Sequence, residues 1–208
     1  MIVLGLTGSV GMGKSTAAAM LRRLGVPVHD SDVTVHRLMA PGGAAVAAVA
    51  KAFPDARRKE GGIDRAVLGR RVFADAKALA RLERILHPLV RQSQRRFLAM
   101  ARARREPLVV LDIPLLFETG GERRCDKVMV VSAPTAVQRA RVMARPGMTE
   151  QRFRAILAKQ MPDAEKRRRA DYVVPSGLGR ALTYRTLRRI VRVLRQDAAC
   201  AGESRAAH

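Results

Sequence analysis

Residues 8–15 constrain this chain more than any other stretch. Gly8-Ser9-Val10-Gly11-Met12-Gly13-Lys14-Ser15 fits G-x-x-x-x-G-K-[ST], with Gly8, Gly13, Lys14 and Ser15 on the fixed positions. The apolar run 2–6 before it reads as a buried strand. Thr16-Ala17-Ala18-Ala19-Met20-Leu21 after it is rich in helix formers. Strand, glycine loop and helix together form a phosphate cradle. Glycines let the backbone N–H groups turn inward, and the helix N-terminus adds partial positive charge. Lys14 can reach β- and γ-phosphates, and the Ser15 hydroxyl can ligate Mg²⁺. The loop from Gly8 to Thr16 is thus the expected ATP-binding segment.

A loop of this kind predicts an α/β fold with a parallel sheet, and the chain supplies the other strands. Runs 25–29, 107–112, 127–131 and 170–174 read as strands. In such a sheet the strand C-termini face the edge that carries the phosphate loop. Asp30-Ser31-Asp32 follows the second strand, so these acids are expected to look into the nucleotide site, unless they only cap the next helix. Asp112 ends the third strand, the position of an acid that holds Mg²⁺ directly or through water, unless it only caps the turn that follows. No strand is expected over 33–105, where 44–53, 64–73, 77–86 and 88–104 read as separate helices. That stretch is too long for a simple crossover and reads as a helical insertion. Pro88 suits a first helical position, and on spacing alone His87 has no function. After Pro134 the chain is helical and basic, with Arg141 and Arg145 four apart on one helix face. An arginine-bearing hairpin there reads as a lid or as a solvated basic helix. A basic amphipathic helix is expected over 178–196, and 197–208 reads as frayed. The expected division is a core of 1–32, 106–137 and 168–208, an insertion of 33–105 and a lid of 138–167.

Charge matters because the partners would be anions. The chain of 208 residues carries 40 basic against 18 acidic side chains, a net charge of +22, and only seven of the basic ones are lysine. Most of this charge reads as solvated surface, with weak nonspecific nucleic-acid binding at low salt. A specific nucleic-acid role is disfavoured: aromatics are 3% of residues, Trp is absent and no zinc spacing occurs. Cys125 and Cys200 stand far apart, so two free thiols in a reducing compartment are expected. No apolar run approaches a membrane span, and the phosphate loop occupies the place of a leader. The expectation is a cytoplasmic monomer without a membrane partner.

The pieces in this order resemble the dephospho-coenzyme A kinase family from about residue 2 to 195. The resemblance rests on Leu6 through Thr16, Asp30-Ser31-Asp32, Leu86-His87-Pro88-Leu89 and Pro114-Leu115-Leu116-Phe117-Glu118. It continues with 138–145, Gln160 and Ala170-Asp171. The loop is generic to nucleotide-binding proteins; D-x-D, H-P-L and P-L-L-F-E in combination are specific. The resemblance implies a five-stranded parallel ATP-binding core, an insertion that binds dephospho-coenzyme A, and an arginine-bearing lid. It implies that ATP phosphorylates the ribose 3′-hydroxyl of dephospho-coenzyme A. It assigns the general base to Asp32, with Lys14 and Arg141 also catalytic and Arg145 as a second phosphate contact. Thr7, His87 and Asp30 would help position the acceptor, and Ser15 would ligate Mg²⁺; the metal role of Asp112 rests on its strand-end position and not on the resemblance.

Two departures stand out. The family often carries Asn after the last strand, where this chain has Val174-Pro175-Ser176-Gly177 and no Asn anywhere. Pro146-Gly147 stands where an acid commonly follows the second lid arginine. The missing Asn also disfavours a GTPase, whose guanine selection uses Asn-Lys-x-Asp. A kinase of shikimate or gluconate type shares the loop and the acid but not H-P-L and P-L-L-F-E.

Overall fold

The computed structural model describes residues 1–206. The strands are β1 (Ile2–Thr7), β2 (Val28–Asp30), β3 (Leu108–Asp112), β4 (Lys127–Ser132) and β5 (Tyr172–Pro175). They form one parallel sheet in the order β2-β3-β1-β4-β5. β1 lies at the centre, with Leu6 beside Asp112 on one side and Met129 on the other. A central strand without free edges must be apolar on both faces, and Val3 to Leu6 meet that demand.

The chain divides into two compact units. The first comprises, of the described residues, 1–29 and those from 100 on. Its helices α1 (Lys14–Arg23) and α9 (Arg180–Ala206) share a core with the sheet. Leu4 and Leu6 of β1, Val131 of β4 and Val174 of β5 meet Leu21 of α1 and Leu187 and Leu194 of α9, all fully buried. Burying each such side chain contributes about 1.5–3 kcal/mol. The same unit carries α6 (Thr135–Met143), α7 (Glu150–Ala158) and α8 (Asp163–Arg169). Thr149 caps α7 by accepting the N–H of Arg152.

The second unit is residues 30–99 and is helical. It holds α2 (Ser31–Met39), α3 (Val46–Ala52), α4 (Arg65–Ala74) and most of α5 (Ala76–Ala103). Met39, Val49, Phe53, Ile63, Leu68, Leu82 and Leu86 form its own core. A lone antiparallel bridge, Arg57 to Ile63, is the strand-like element described there.

Two helix boundaries differ from the sequence expectation. The stretches 77–86 and 88–104 are one helix, α5, with Pro88 inside it. Proline removes one i→i−4 hydrogen bond and typically costs about 3 kcal/mol or more in a helix interior. Here Pro88 and Arg84 are both exposed residues. Leu82 and Leu86 are buried, and their packing keeps the helix intact around the proline. Residues 197–206, expected to fray, continue α9, while 207–208 lie outside the described residues. Among the described residues no helix is long and apolar enough to cross a membrane. Cys125 and Cys200 are free thiols. Burial pushes the Cys125 thiol up to about 11, and its Sγ lies 2.8 Å from where a Cβ on Gly5 would stand.

Candidate active site

β1 runs directly into the glycine loop, and the loop closes on the sheet itself. A Cβ on Gly8 would sit 2.7 Å from the backbone oxygen of Val131, so only glycine allows that approach. Gly13 precedes α1 with φ +88°, a left-handed conformation that turns its neighbours' amides inward. Lys14 and Ser15 open α1, where the unpaired amides and the helix dipole favour an anion. Ser15 is exposed there, and Thr16 is half-buried.

Lys14 Nζ lies 2.6 Å from Asp112 Oδ1 at the end of β3. The Asp112 side chain is 1% exposed, so its charge is stabilised by the ammonium beside it. The two expected phosphate and metal groups are therefore brought together. Thr7, fully buried, spends its hydroxyl proton on the carbonyl of Pro114 at 2.9 Å. In this structure it acts as a pin at the base of the loop.

The loop is also gripped from outside by side chains that residue spacing alone did not single out. Gln138 Nε2 donates to the carbonyl of Val10 at 2.8 Å, and Gln160 Oε1 accepts the N–H of Val10 at 3.1 Å. Ser176 Oγ donates to the carbonyl of Met12 at 2.6 Å. Arg141 reaches the same serine, through Nη1 to Oγ at 3.1 Å and Nη2 to the carbonyl at 2.6 Å. A Cβ on Gly13 would lie 3.5 Å from Arg141 Nη1, so the guanidinium stands next to the start of α1. Arg145 is exposed one turn further on, whereas Arg152 is engaged with the carbonyl of Gly147 at 2.7 Å. Ser9 is buried, and Gly11 has φ +77°. The family resemblance includes 138–145 and Gln160, but neither it nor the spacing gave Gln138, Gln160 or Ser176 a part in holding the loop.

A cavity of about 770 Å³ opens beside the loop, between α6, α8 and the ends of β4 and β5. Ser9 and Gln138 line one part of it and Gly177 and Leu178 another. Its volume is in the range of small-molecule sites.

In the helical unit, Asp30 caps α2 by accepting the N–H of Val33 at 3.0 Å. Asp32 is exposed in the first turn of that helix. His87 is half-buried within α5, next to buried Leu86. No cluster of three or more His, Cys, Asp or Glu side chains able to hold a metal occurs among the described residues. The donor set suits Mg²⁺ all the same, since that ion takes one or two protein oxygens and completes its shell with phosphates and water. Ser15 at the start of α1 and the Asp112 carboxylate against Lys14 are oxygen-bearing side chains of that kind.

Comparison with known proteins places this geometry. The dephospho-CoA kinase family model matches residues 2–178. The dephospho-CoA kinase of Paramagnetospirillum magneticum is 68% identical over 167 residues, covering 80% of this chain and 78% of its own. That of Rhodospirillum rubrum is 57% identical over 187 residues, 90% of this chain and 89% of its own. The solved structure of TT1252 from Thermus thermophilus superposes with a TM-score of 0.78 at 38% identity, covering 92% of this chain and 96% of that one. The dephospho-CoA kinase structure from Campylobacter jejuni, at 24% identity and a TM-score of 0.71 over 94% of this chain and 98% of its own, shares the fold. With the family model spanning residues 2–178 and relatives this similar over most of their length, the chain belongs to the dephospho-CoA kinase family.

Proposed function

We propose that this protein transfers the γ-phosphoryl group of ATP to the ribose 3′-hydroxyl of dephospho-coenzyme A, giving coenzyme A and ADP. The family membership supports the reaction, and the observation that carries it to particular atoms is the cradle of residues 8–15 with Lys14 held at its mouth. The amides from Gly11 to Ser15 bind the phosphate chain, and Lys14 stabilises charge on the transferring group. On nucleotide binding, Lys14 exchanges Asp112 for phosphate oxygens. Mg²⁺, held by Ser15 and Asp112, would neutralise the β- and γ-phosphates. Asp32 takes the proton of the attacking hydroxyl. Asp30 keeps Asp32 in place by capping α2. Arg141, braced on Ser176, supplies positive charge beside the cradle, with Arg145 behind it.

The helical unit of residues 30–99 is the acceptor-binding part in this reading, with His87 among its contacts. The cavity between Ser9 and Leu178 takes the adenine, at the turn where relatives often place Asn. The lid is the α6–α7 hairpin of the 138–167 segment. The protein works as a monomer in the cytoplasm, without membrane or specific nucleic-acid partners. The deciding experiment is ADP release with dephospho-coenzyme A, shikimate, gluconate or no acceptor. Release dependent on dephospho-coenzyme A alone is expected. Equal release with shikimate or gluconate refutes the acceptor assignment.

A further inference from the structure

Pro114-Leu115-Leu116-Phe117-Glu118 is one of the motifs that carry the family resemblance, yet no step of the transfer uses its side chains. Glu118 is mostly buried, 16% exposed. Its Oε1 accepts the N–H of Met161 at 2.8 Å. The same oxygen lies 2.8 Å from Lys166 Nζ, and Lys166 is fully buried. The lysine contact is an ion pair without hydrogen-bond alignment, so the directed bond of Glu118 is the one to Met161. A buried ion pair adds little net stability, because desolvation offsets its attraction. Its presence here therefore points to a demand for position.

That demand is legible one residue away. Met161 follows Gln160, whose Oε1 accepts the N–H of Val10 in the phosphate loop at 3.1 Å. Ser132 Oγ donates to Asp163 Oδ2 at 2.7 Å, tying the same segment to the end of β4. The first residue of the motif braces the loop as well, since the Pro114 carbonyl accepts the hydroxyl of Thr7, just before Gly8. One turn, 114–118, thus supports the loop at two points, directly through Thr7 and indirectly through Gln160.

We propose that Glu118 is a positioning residue for the phosphate loop. By fixing the backbone of Met161 it sets the Gln160 amide, and the amide holds Val10 so that Gly11 to Ser15 present their N–H groups to the phosphates. The inference rests on reading 8–15 as the ATP cradle. It predicts that Glu118 acts on nucleotide binding and not on the acceptor.

The test uses the full chain with Gln160→Ala, Glu118→Ala, the two combined, and Glu118→Gln. ADP affinity is measured by calorimetry, and KM for ATP and for dephospho-coenzyme A in steady state. Each alanine variant is expected to weaken ADP and raise KM for ATP about five- to tenfold, the size of one lost buried hydrogen bond. The combined variant is expected to be no more than about twofold worse than the worse single, because both cut one chain of contacts. KM for dephospho-coenzyme A stays within about twofold, and Glu118→Gln, which keeps an acceptor for Met161, binds ADP better than Glu118→Ala. Multiplying effects in the combined variant overturn the proposal, as does unchanged ADP affinity in Gln160→Ala. If Glu118→Ala does not fold, Gln160→Ala and Glu118→Gln still decide, since neither deletes the acceptor for Met161. Lys14→Ala separates the two levels. Full turnover in that variant removes the cradle itself, whereas lost turnover with unmoved Gln160→Ala removes only the role of Glu118.

Discussion

The two units solve opposite problems with their interiors. In the helical unit the core is apolar, and Ser31 with Gln94 are the buried polar side chains described there, joined to each other at 3.3 Å. In the sheet unit, buried or mostly buried polar groups are spent on the phosphate loop: Thr7, Gln138 and Ser176 bond backbone around it, and Asp112 holds Lys14. A loop without regular secondary structure leaves its own amides and carbonyls unpaired, so its shape has to be imposed by side chains from other elements. Helices satisfy their own backbone, and the helical unit needs only apolar packing. The difference predicts where substitutions act: nucleotide binding and transfer in the first unit, stability and acceptor binding in the second.

Asp32 is the sharpest exception to that division, because it belongs to the helical unit and is proposed to accept the hydroxyl proton. Asp32→Asn is expected to lower kcat by about 10²–10⁴-fold with ADP affinity unchanged. Asp30→Asn is the control: the asparagine amide oxygen still accepts the N–H of Val33 and keeps the cap, so little change in stability and far less loss of kcat are expected. If Asp30→Asn proves the more damaging to kcat, the wrong carboxylate carries the chemistry. A loss of ADP affinity in step with kcat in Asp32→Asn assigns it to the metal instead.

Within the sheet unit, Lys14→Ala is expected to reduce turnover by about 10²–10³-fold in a protein that remains folded. Thermal melting beside the assay separates this from the loss of Asp112's counter-charge. Retained turnover would place the transferring phosphate elsewhere. A smaller effect distinguishes two lid arginines. Arg141→Ala is expected to lower kcat/KM for ATP about 10–100-fold, since charged hydrogen bonds next to the cradle are lost, and Arg152→Ala by less than about threefold. Equal effects would mean that the lid works through bulk charge. The smallest catalytic effect is expected in the helical core. Phe53→Ala removes a side chain that is 4% exposed. It should cost about 3–5 kcal/mol of stability in a denaturant titration. ADP affinity should stay within about twofold, and a larger shift would show that the helical unit shapes the nucleotide site.

Much of the site was legible because its chemistry is local. Gly8, Gly13, Lys14 and Ser15 are set by backbone turns and a helix start that adjoin in sequence. Asp30 as a cap follows an equally local rule. The strands were legible because each is a short apolar run closed by a polar residue. What misled was Pro88, where a local rule ended a helix that the buried Leu82 and Leu86 carry through. The expected fraying of 197–206 failed for the backbone, which stays helical.

The sequence alone determined the strands of the sheet and the glycine loop with Lys14 and Ser15 at the start of α1, because these depend on neighbours within a few residues. Only the tertiary structure decided which side chains hold the cradle. Gln138 and Gln160 meet on one residue, Val10, from 128 and 150 positions away. Ser176 reaches Met12 across 164 positions. Single hydrogen bonds of this kind leave no periodicity in a sequence. They arise because a buried, irregular backbone must find partners, and packing decides which polar side chains stand close enough to provide them.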